Sequence, residues 1–154
     1  MDQLAVMKAA FLHKPHEVVI QDVPTPTIQS NEVLVQVKSV GICGSDFHYW
    51  RTGSVGNFTI KEPFILGHEV SGQIVEVGGD VSNFKTGDRV IVEPGVACGR
   101  CPMCRLGRYN LCRQKRFMGD PPTKGAFAEY LAWPADFVYS MPDDMTFDEG
   151  ALNP

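Results

Sequence analysis

Residues 98–112 read CGRCPMCRLGRYNLC and hold four of the chain's five cysteines, Cys98, Cys101, Cys104 and Cys112. Tetrahedral Zn²⁺ takes four thiolates, and a Cys-x-x-Cys pair lets two of them converge from one tight turn. Here Cys101 belongs to two such pairs, and Cys112 completes the set. Unrelated thiols, disulfides or a two-cysteine redox site are the alternatives. We predict a closed, structural zinc site in a cysteine lobe spanning residues 95–113.

Composition supports the metal over disulfides. An odd number of cysteines, four of them crowded together, is typical of metal binding in a reducing compartment. The N-terminal stretch has no basic leader before an apolar run, and no stretch approaches the roughly 20 apolar residues of a membrane span. We therefore expect a cytoplasmic protein without a membrane partner. A net charge of -4 also argues against a nucleic-acid partner.

Most segments outside the lobe have the pattern of short strands. Residues 32–40, EVLVQVKSV, alternate valines with Leu34, Gln36 and Lys38, which predicts a strand with one buried face. Similar segments recur, and 15 glycines and 11 prolines lie at the joints between them. The other predicted strands lie in residues 7–12, 17–23, 69–78, 88–95 and 126–142. The sequence predicts a mainly β fold, a compact and irregular β-barrel.

The sequence pattern predicts few helices. One short helix is predicted through FHYWR, residues 47–51, before Gly53, and a second at TFDE, where Thr146 and Glu149 have capping-box spacing. The second is cut off almost at once, and helices under about ten residues are marginal alone. We read the end of the sequence as a boundary inside a longer architecture.

The fifth cysteine suggests a second, open metal site. Cys43 follows a predicted strand, and His68 and Glu69 are adjacent in the distant LGHEVSG. A thiolate, an imidazole and a carboxylate are three good ligands for Zn²⁺, and catalytic zinc keeps three protein ligands with one open position. A buried structural cysteine and a surface His-Glu pair are the alternative.

At this point the sequence resembles a known family. Residues 67–81, GHEVSGQIVEVGGDV, are similar to the signature of the zinc-dependent medium-chain alcohol dehydrogenases. The resemblance runs from MKAAFL to DEGAL and implies the N-terminal catalytic domain of such an enzyme, a GroES-like barrel. Residues 43–50 (CGSDFHYW), 92–112 (VEPGVACGRCPMCRLGRYNLC) and 116–122 (RFMGDPP) are most similar to the polyol branch, sorbitol and xylitol dehydrogenases.

The resemblance implies a chemistry for the open site. Cys43 and His68 would bind a catalytic zinc, with Glu69 either a ligand or just behind the ligands. The zinc would polarise a secondary hydroxyl of a small-molecule polyol or secondary alcohol, whose hydride passes to NAD or NADP and leaves a ketone. Ser45 would take the substrate proton, and a relay to solvent would end at His48.

Three further positions carry roles implied by the resemblance. Asp46 would orient the ligand histidine, although Ser45 and Asp46 could also simply cap the following helix. Tyr49 and Phe117 would be aromatic walls of the substrate pocket, and either could instead belong to the core.

The sequence departs from the family in two respects. No Gly-x-Gly-x-x-Gly dinucleotide motif occurs in the 154 residues. We therefore assign residues 1–154 to the catalytic domain, expect the nucleotide-binding domain to be absent, and expect the chain alone to be inactive. Asn153 and Pro154 stand where the polyol branch usually has a glutamate. The full-length form is expected to be a homo-oligomer, as is common in the family.

Two other functions stay open from the residues. The barrel and lobe could be a zinc-stabilised binding module without catalysis. The locally basic CRLGRYNLCRQKR, residues 104–116, could mark a zinc-ribbon nucleic-acid binder, which the net charge disfavours. Only the enzyme interpretation uses Cys43, Ser45, His48, His68 and Glu69 together.

Overall fold

A computed structural model of the chain describes residues 6–152. Residues 1–5 and 153–154 lie outside that range, and with them the Asn153–Pro154 departure from the family pattern. Within the described range, every helix is too short or too polar to cross a bilayer.

The described residues form twelve β-strands, most of them short. Their bounds are β1 Val6–Lys14, β2 Glu17–Pro24, β3 Glu32–Gly41, β4 Ser54–Val55, β5 Phe58–Thr59, β6 Phe64–Ile65, β7 Glu69–Val77, β8 Arg89–Val92, β9 Gly95–Val96, β10 Arg116–Phe117, β11 Tyr130–Pro134 and β12 Val138–Ser140. The strands expected from the sequence are all present, although the segment 126–142 divides into β11 and β12.

The strands are distributed over four sheets. The largest has five strands in the order β11-β3-β7-β8-β12, and a second has three in the order β2-β1-β6. Two further pairs are β10-β9 and β4-β5. All the pairings are antiparallel. The predicted mainly β fold with a few short helices is confirmed, and its irregularity lies in this division into separate sheets.

Strand β3 lies at the centre of the large sheet, between β11 and β7. Val33, Leu34 and Val35 are all buried, so both faces of the strand are covered there. The prediction of a single buried face is therefore wrong for these three positions. Both faces of a strand are buried only where other parts of the chain pack on each side of the sheet, and the alternating pattern of β3 does not reveal that second layer.

Three short α-helices and two 3₁₀ turns connect the strands. The α-helices are α1 Gly44–Thr52, α2 Pro102–Arg105 and α3 Phe147–Ala151, and the 3₁₀ turns are Tyr109–Leu111 and Ala135–Phe137. The capping box of Thr146 and Glu149 is present at α3 as predicted. Helix α1 begins three residues earlier than predicted and ends at Gly53, whose φ of 75° is the left-handed cap that glycine favours.

The main apolar core lies on the large sheet, and two smaller clusters lie beside it. The main core includes Val33, Val35, Val70, Ile74, Val90, Val92, Met118, Leu131, Trp133 and Val138. One smaller cluster packs Tyr49 of α1 against Leu12, Phe64 and Leu66. This packing fixes α1 against the segment that leads into β7.

A backbone ladder holds that segment in place. Gly125 donates to the Ile65 carbonyl at 2.7 Å, and Phe127 to the Leu66 carbonyl at 2.9 Å. Ala126 donates to Gly67, also at 2.9 Å. Main-chain hydrogen bonds therefore anchor residues 65–67, which immediately precede the predicted ligand His68.

Because β3 and β7 pair closely, we predict that a side chain at position 72 would destabilise the fold. A methyl group there would collide with the Gln36 carbonyl and lie 2.6 Å from Val35 Cγ1. We expect Gly72→Ala to lower the free energy of unfolding by about 1–3 kcal/mol, measured by urea denaturation. Gly79→Ala, with no atom within 4 Å of the new methyl, is the matched control. Equal stability of the two variants would contradict this packing.

Candidate active site

The four lobe cysteines point their sulfurs at a common centre. The Sγ atoms of Cys101 and Cys104 are 3.5 Å apart, those of Cys98 and Cys104 4.0 Å, and those of Cys101 and Cys112 3.9 Å. Four thiolates at tetrahedral angles around zinc, at about 2.3 Å each, would be about 3.8 Å from one another. All five cysteines are free thiols, so the residues fit the metal and not a disulfide.

Local backbone conformation builds this cluster. Gly99 and Gly107 have φ angles of 70° and 72°, in the left-handed region that side chains disfavour. Cys101 is the N-cap of α2, and Pro102 opens that helix, where its missing N–H costs nothing. The first three cysteines thus come from one tight turn, and Cys112 follows the 3₁₀ turn.

The thiols strongly perturb one another. Backbone N–H groups of Arg100 and Cys101 lower the pKa of Cys98 to about 6. Burial, followed by the neighbouring Cys101 and Cys112, raises the pKa of Cys104 to about 12. Sulfurs this close ionise together only when a cation offsets their repulsion.

The pairing of β3 with β7 brings together the residues of the second cluster, Cys43, His68 and Glu69. Gly41, the last residue of β3, pairs with Glu69, the first residue of β7. Cys43 lies two residues beyond that pair, and His68 immediately precedes it. One ligand atom from each of Cys43, His68 and Glu69 lies within 4.8 Å of the other two.

Gly41 provides the space that the Glu69 carboxylate occupies. A methyl group at position 41 would collide with Glu69 Oε2 and lie 3.0 Å from Glu69 Cβ. The absence of a side chain at Gly41 therefore allows the carboxylate to turn toward Cys43 and His68.

Asp46 connects the two chain segments that carry these residues. Its side chain is 4% exposed; Oδ2 accepts from the Cys43 N–H at 3.0 Å and Oδ1 from the Gly67 N–H at 3.1 Å. Oδ1 also lies 3.8 Å from Nδ1 of His68. Burial raises the pKa of Asp46, opposed by His68 and by the two N–H donors. The Asp46 carboxylate therefore caps α1 and also lies beside the ring of His68.

Ser45 and His48 lie three residues apart on α1. Side chains at that spacing share one helix face. Ser45 is half-buried and His48 is exposed.

The two expected pocket aromatics are in different environments. The Phe117 ring is half-buried and meets the His68 ring at 5.2 Å, edge to face. Tyr49 is 1% exposed in the core, and its hydroxyl donates to Asp120 Oδ1 at 2.9 Å. Burial and Asp120 together raise the pKa of Tyr49. Asp120 escaped notice in the sequence because a loop Gly-Asp-Pro usually marks only a turn.

The donor set of the second cluster suits zinc with an open position. Thiolate, imidazole and carboxylate supply three ligands, which leaves room for one oxygen ligand from outside the protein. The lobe, with four thiolates, has no such room. The arrangement can therefore support chemistry at Cys43, His68 and Glu69, and a structural role in the lobe.

Comparison with known proteins supports the same reading of the chain. The family model for the alcohol dehydrogenase GroES-like domain matches residues 29–143. Sorbitol dehydrogenase of Bacillus subtilis (strain 168) is 51% identical over 146 residues, 95% of this chain and 41% of the relative. A probable D-xylulose reductase A of Neosartorya fischeri is 49% identical over 138 residues, 89% of this chain and 38% of the relative.

Solved structures agree with the fold. A crystal structure described as a short chain alcohol dehydrogenase from Escherichia coli CFT073, complexed with NADH, has a TM-score of 0.84 at 34% identity, and the match covers 96% of this chain and 42% of that one. The chain spans about two fifths of the length of the curated relatives it matches. With these matches, the chain belongs to the alcohol dehydrogenase GroES-like domain family.

Proposed function

We propose that residues 1–154 are the catalytic domain of a zinc-dependent, NAD- or NADP-linked dehydrogenase that oxidises a polyol or secondary alcohol to a ketone. The observation that carries this proposal is the convergence of Cys43, His68 and Glu69 within 4.8 Å. A binding module would need the lobe, residues 95–113, and would have no use for a three-ligand open site.

Two zinc ions would have different roles. In the lobe, Cys98, Cys101, Cys104 and Cys112 would hold a structural ion. At the open site Cys43, His68 and Glu69 would hold a catalytic one, with Nε2 of His68 as donor because Nδ1 faces Asp46. An ion bound there supplies Lewis acidity toward an alcohol oxygen.

The chain's own groups would move the proton. Ser45 would accept the hydroxyl proton, because a serine hydroxyl both accepts and donates hydrogen bonds. His48, exposed on the same face of α1, would pass the proton to solvent, since an imidazole ring can accept a proton at one nitrogen and donate one from the other. Asp46 would keep the Cys43 and His68 segments in register during this transfer.

Phe117 and Tyr49 would shape the substrate pocket in different ways. Phe117 would be a direct wall, because its ring already contacts His68. Tyr49 would act through Asp120, since its own hydroxyl is buried and donates to that carboxylate. The sorbitol dehydrogenase likeness favours a polyol as the substrate.

The nicotinamide cofactor would be bound by a further domain. Ile42 and Phe47 flank Cys43 and are 77% and 52% exposed, an apolar surface suited to cover by such a domain. The NADH complex of a structural relative supports a nicotinamide as the hydride acceptor. We further propose a homo-oligomeric enzyme of the cytoplasm, where the cysteines would stay reduced.

Zinc content is the first test. We expect about two zinc ions per chain by element-specific mass spectrometry. Cys98→Ser should remove the lobe ion and His68→Asn the open-site ion, each variant serving as control for the other. His13→Asn, a histidine outside both clusters, should keep both ions. A chain with one ion that survives His68→Asn would contradict the open site.

Gly41 tests whether Glu69 is a ligand. In Gly41→Ala the methyl takes the space of the carboxylate, and we expect zinc affinity at the open site to fall at least about tenfold. The readout is retention of the second zinc against a chelator. Gly44→Ala, with no atom within 4 Å of the new methyl, should retain it. Unchanged affinity in Gly41→Ala would place Glu69 behind the ligands.

Activity is testable in a chimera. We would replace the matching N-terminal region of the Bacillus subtilis sorbitol dehydrogenase with this chain and expect NAD-dependent sorbitol oxidation at about 1 per second or faster. Ser45→Ala should lower kcat by about 10²–10⁴, whereas Ser54→Ala should not. The unfused chain should be inactive. A folded chimera that binds two zincs yet does not oxidise polyols would contradict the proposed function.

A further inference from the structure

Helix α1 holds the side chain of Asp120 beside the candidate active site. Tyr49 lies four residues after Ser45 on α1, so the two side chains share one face of that helix. The Tyr49 hydroxyl donates to Asp120 Oδ1 at 2.9 Å. Burial and the Asp120 carboxylate both raise the pKa of Tyr49, so the phenol keeps its proton and remains the donor. The Asp120 carboxylate therefore extends the helix face that begins at Ser45.

The loop that carries Asp120 also packs against the proposed ligand His68. Phe117 places its ring 5.2 Å from the His68 ring. The Asp120 N–H donates to the Phe117 carbonyl at 3.2 Å, which closes a tight turn between these two residues. A methyl group on Gly119 would lie 3.2 Å from the Gly67 carbonyl oxygen, so the loop backbone lies directly against the residue before His68. Asp120 is therefore one tight turn away from the open metal site.

One oxygen of the Asp120 carboxylate has no partner within residues 6–152. Oδ1 accepts from Tyr49, whereas no hydrogen bond or ion pair of this part of the chain involves Oδ2. Asp120 is half-buried, and a carboxylate oxygen that loses water without gaining a donor is costly to the fold. A donor from outside the protein would offset that cost, and a hydroxyl group is such a donor.

We propose that Asp120 determines substrate specificity, because its Oδ2 accepts a hydrogen bond from a second hydroxyl group of the substrate. A polyol carries hydroxyl groups beside its reacting carbon, so one of them can reach Asp120 while the reacting oxygen lies at the open metal site. A secondary alcohol with a single hydroxyl has no group for Asp120 to bind. A sugar phosphate would bring a second negative charge toward it. The inference rests on the proposed function and deepens it, since it names neutral polyols as the preferred substrates.

A role in positioning alone would give a different result from a direct contact. If Asp120 only held Tyr49 and the loop in place, its loss would impair every substrate alike. A site that binds a particular substrate hydroxyl instead discriminates against substrates that lack it. Comparison of a polyol with a simple secondary alcohol therefore separates the two roles.

The chimera with the Bacillus subtilis sorbitol dehydrogenase provides the kinetic test. In Asp120→Ala we expect the KM for sorbitol to rise at least about tenfold, with kcat changed by less than about threefold. The KM for 2-butanol should change by less than about twofold, because this alcohol never contacts Asp120. Asp136→Ala, at an exposed aspartate elsewhere in the chain, is the matched control and should change neither KM.

A conservative variant tests the free oxygen itself. Asp120→Asn keeps an oxygen that accepts from Tyr49 but places an NH₂ group where Oδ2 lies. We expect the KM for sorbitol to stay raised in this variant. Recovery of the unaltered KM would assign Asp120 a positioning role only and would overturn the inference.

A binding measurement separates this inference from the proposed function. Titration of the zinc-loaded chain with sorbitol should shift the backbone amide NMR signal of Gly119, and 2-butanol should not shift it. Asp120→Ala should raise the apparent dissociation constant for sorbitol at least about tenfold, with circular dichroism and zinc content verifying that the variant is folded. A chimera that oxidises neither alcohol would count against the proposed function, and the titration would still decide the role of Asp120. A Gly119 signal indifferent to sorbitol, or equal losses for both alcohols in Asp120→Ala, would overturn the inference.

Discussion

The candidate active site depends on one buried carboxylate. Asp46 accepts hydrogen bonds from the Cys43 and Gly67 N–H groups and lies beside His68, so it joins segments that are over twenty residues apart in the chain. Ionised, it is costly to bury, and that cost is offset only while both donors and the histidine are in place. The same interaction therefore begins helix α1 and fixes the spacing between the proposed zinc ligands. A neutral isostere would keep the shape of the side chain but lose the charge that faces the histidine.

The two metal clusters differ in how far they depend on the rest of the fold. The lobe draws its four cysteines from fifteen consecutive residues, and glycine turns and a proline-opened helix bring them together. The open site depends on long-range register, because Cys43 reaches His68 only when Gly41 pairs with Glu69. A register slip of one residue would turn Glu69 to the other face of the sheet. Damage to the large sheet should therefore remove the open site while leaving the lobe intact.

This difference explains what could be predicted from the sequence. The lobe, the mainly β fold and the α3 capping box could be predicted from the sequence, because each depends on residues that are close together in the chain. The donor types of Cys43, His68 and Glu69 suggested a metal site, but their spacing could not show that they meet, since no local pattern encodes strand register. Family resemblance was what favoured the trio over its structural alternative. Tyr49 shows the same limit: an aromatic after CGSDFH fits either a pocket or a core, and only packing against Leu12 and Phe64 places it in the core. The burial of Leu34 likewise depends on packing against its face of the sheet, which the pattern of β3 does not encode.

The two clusters also differ in what they can accept from outside the protein. The four thiolates of the lobe complete a tetrahedral set and offer no position to a substrate, whereas Cys43, His68 and Glu69 leave one position open. A zinc ion in the lobe would therefore hold residues 98–112 in place without taking part in a reaction. Chemistry is left to the site whose ligands come from distant segments, and there the buried carboxylate of Asp46 lies beside the proposed ligand His68.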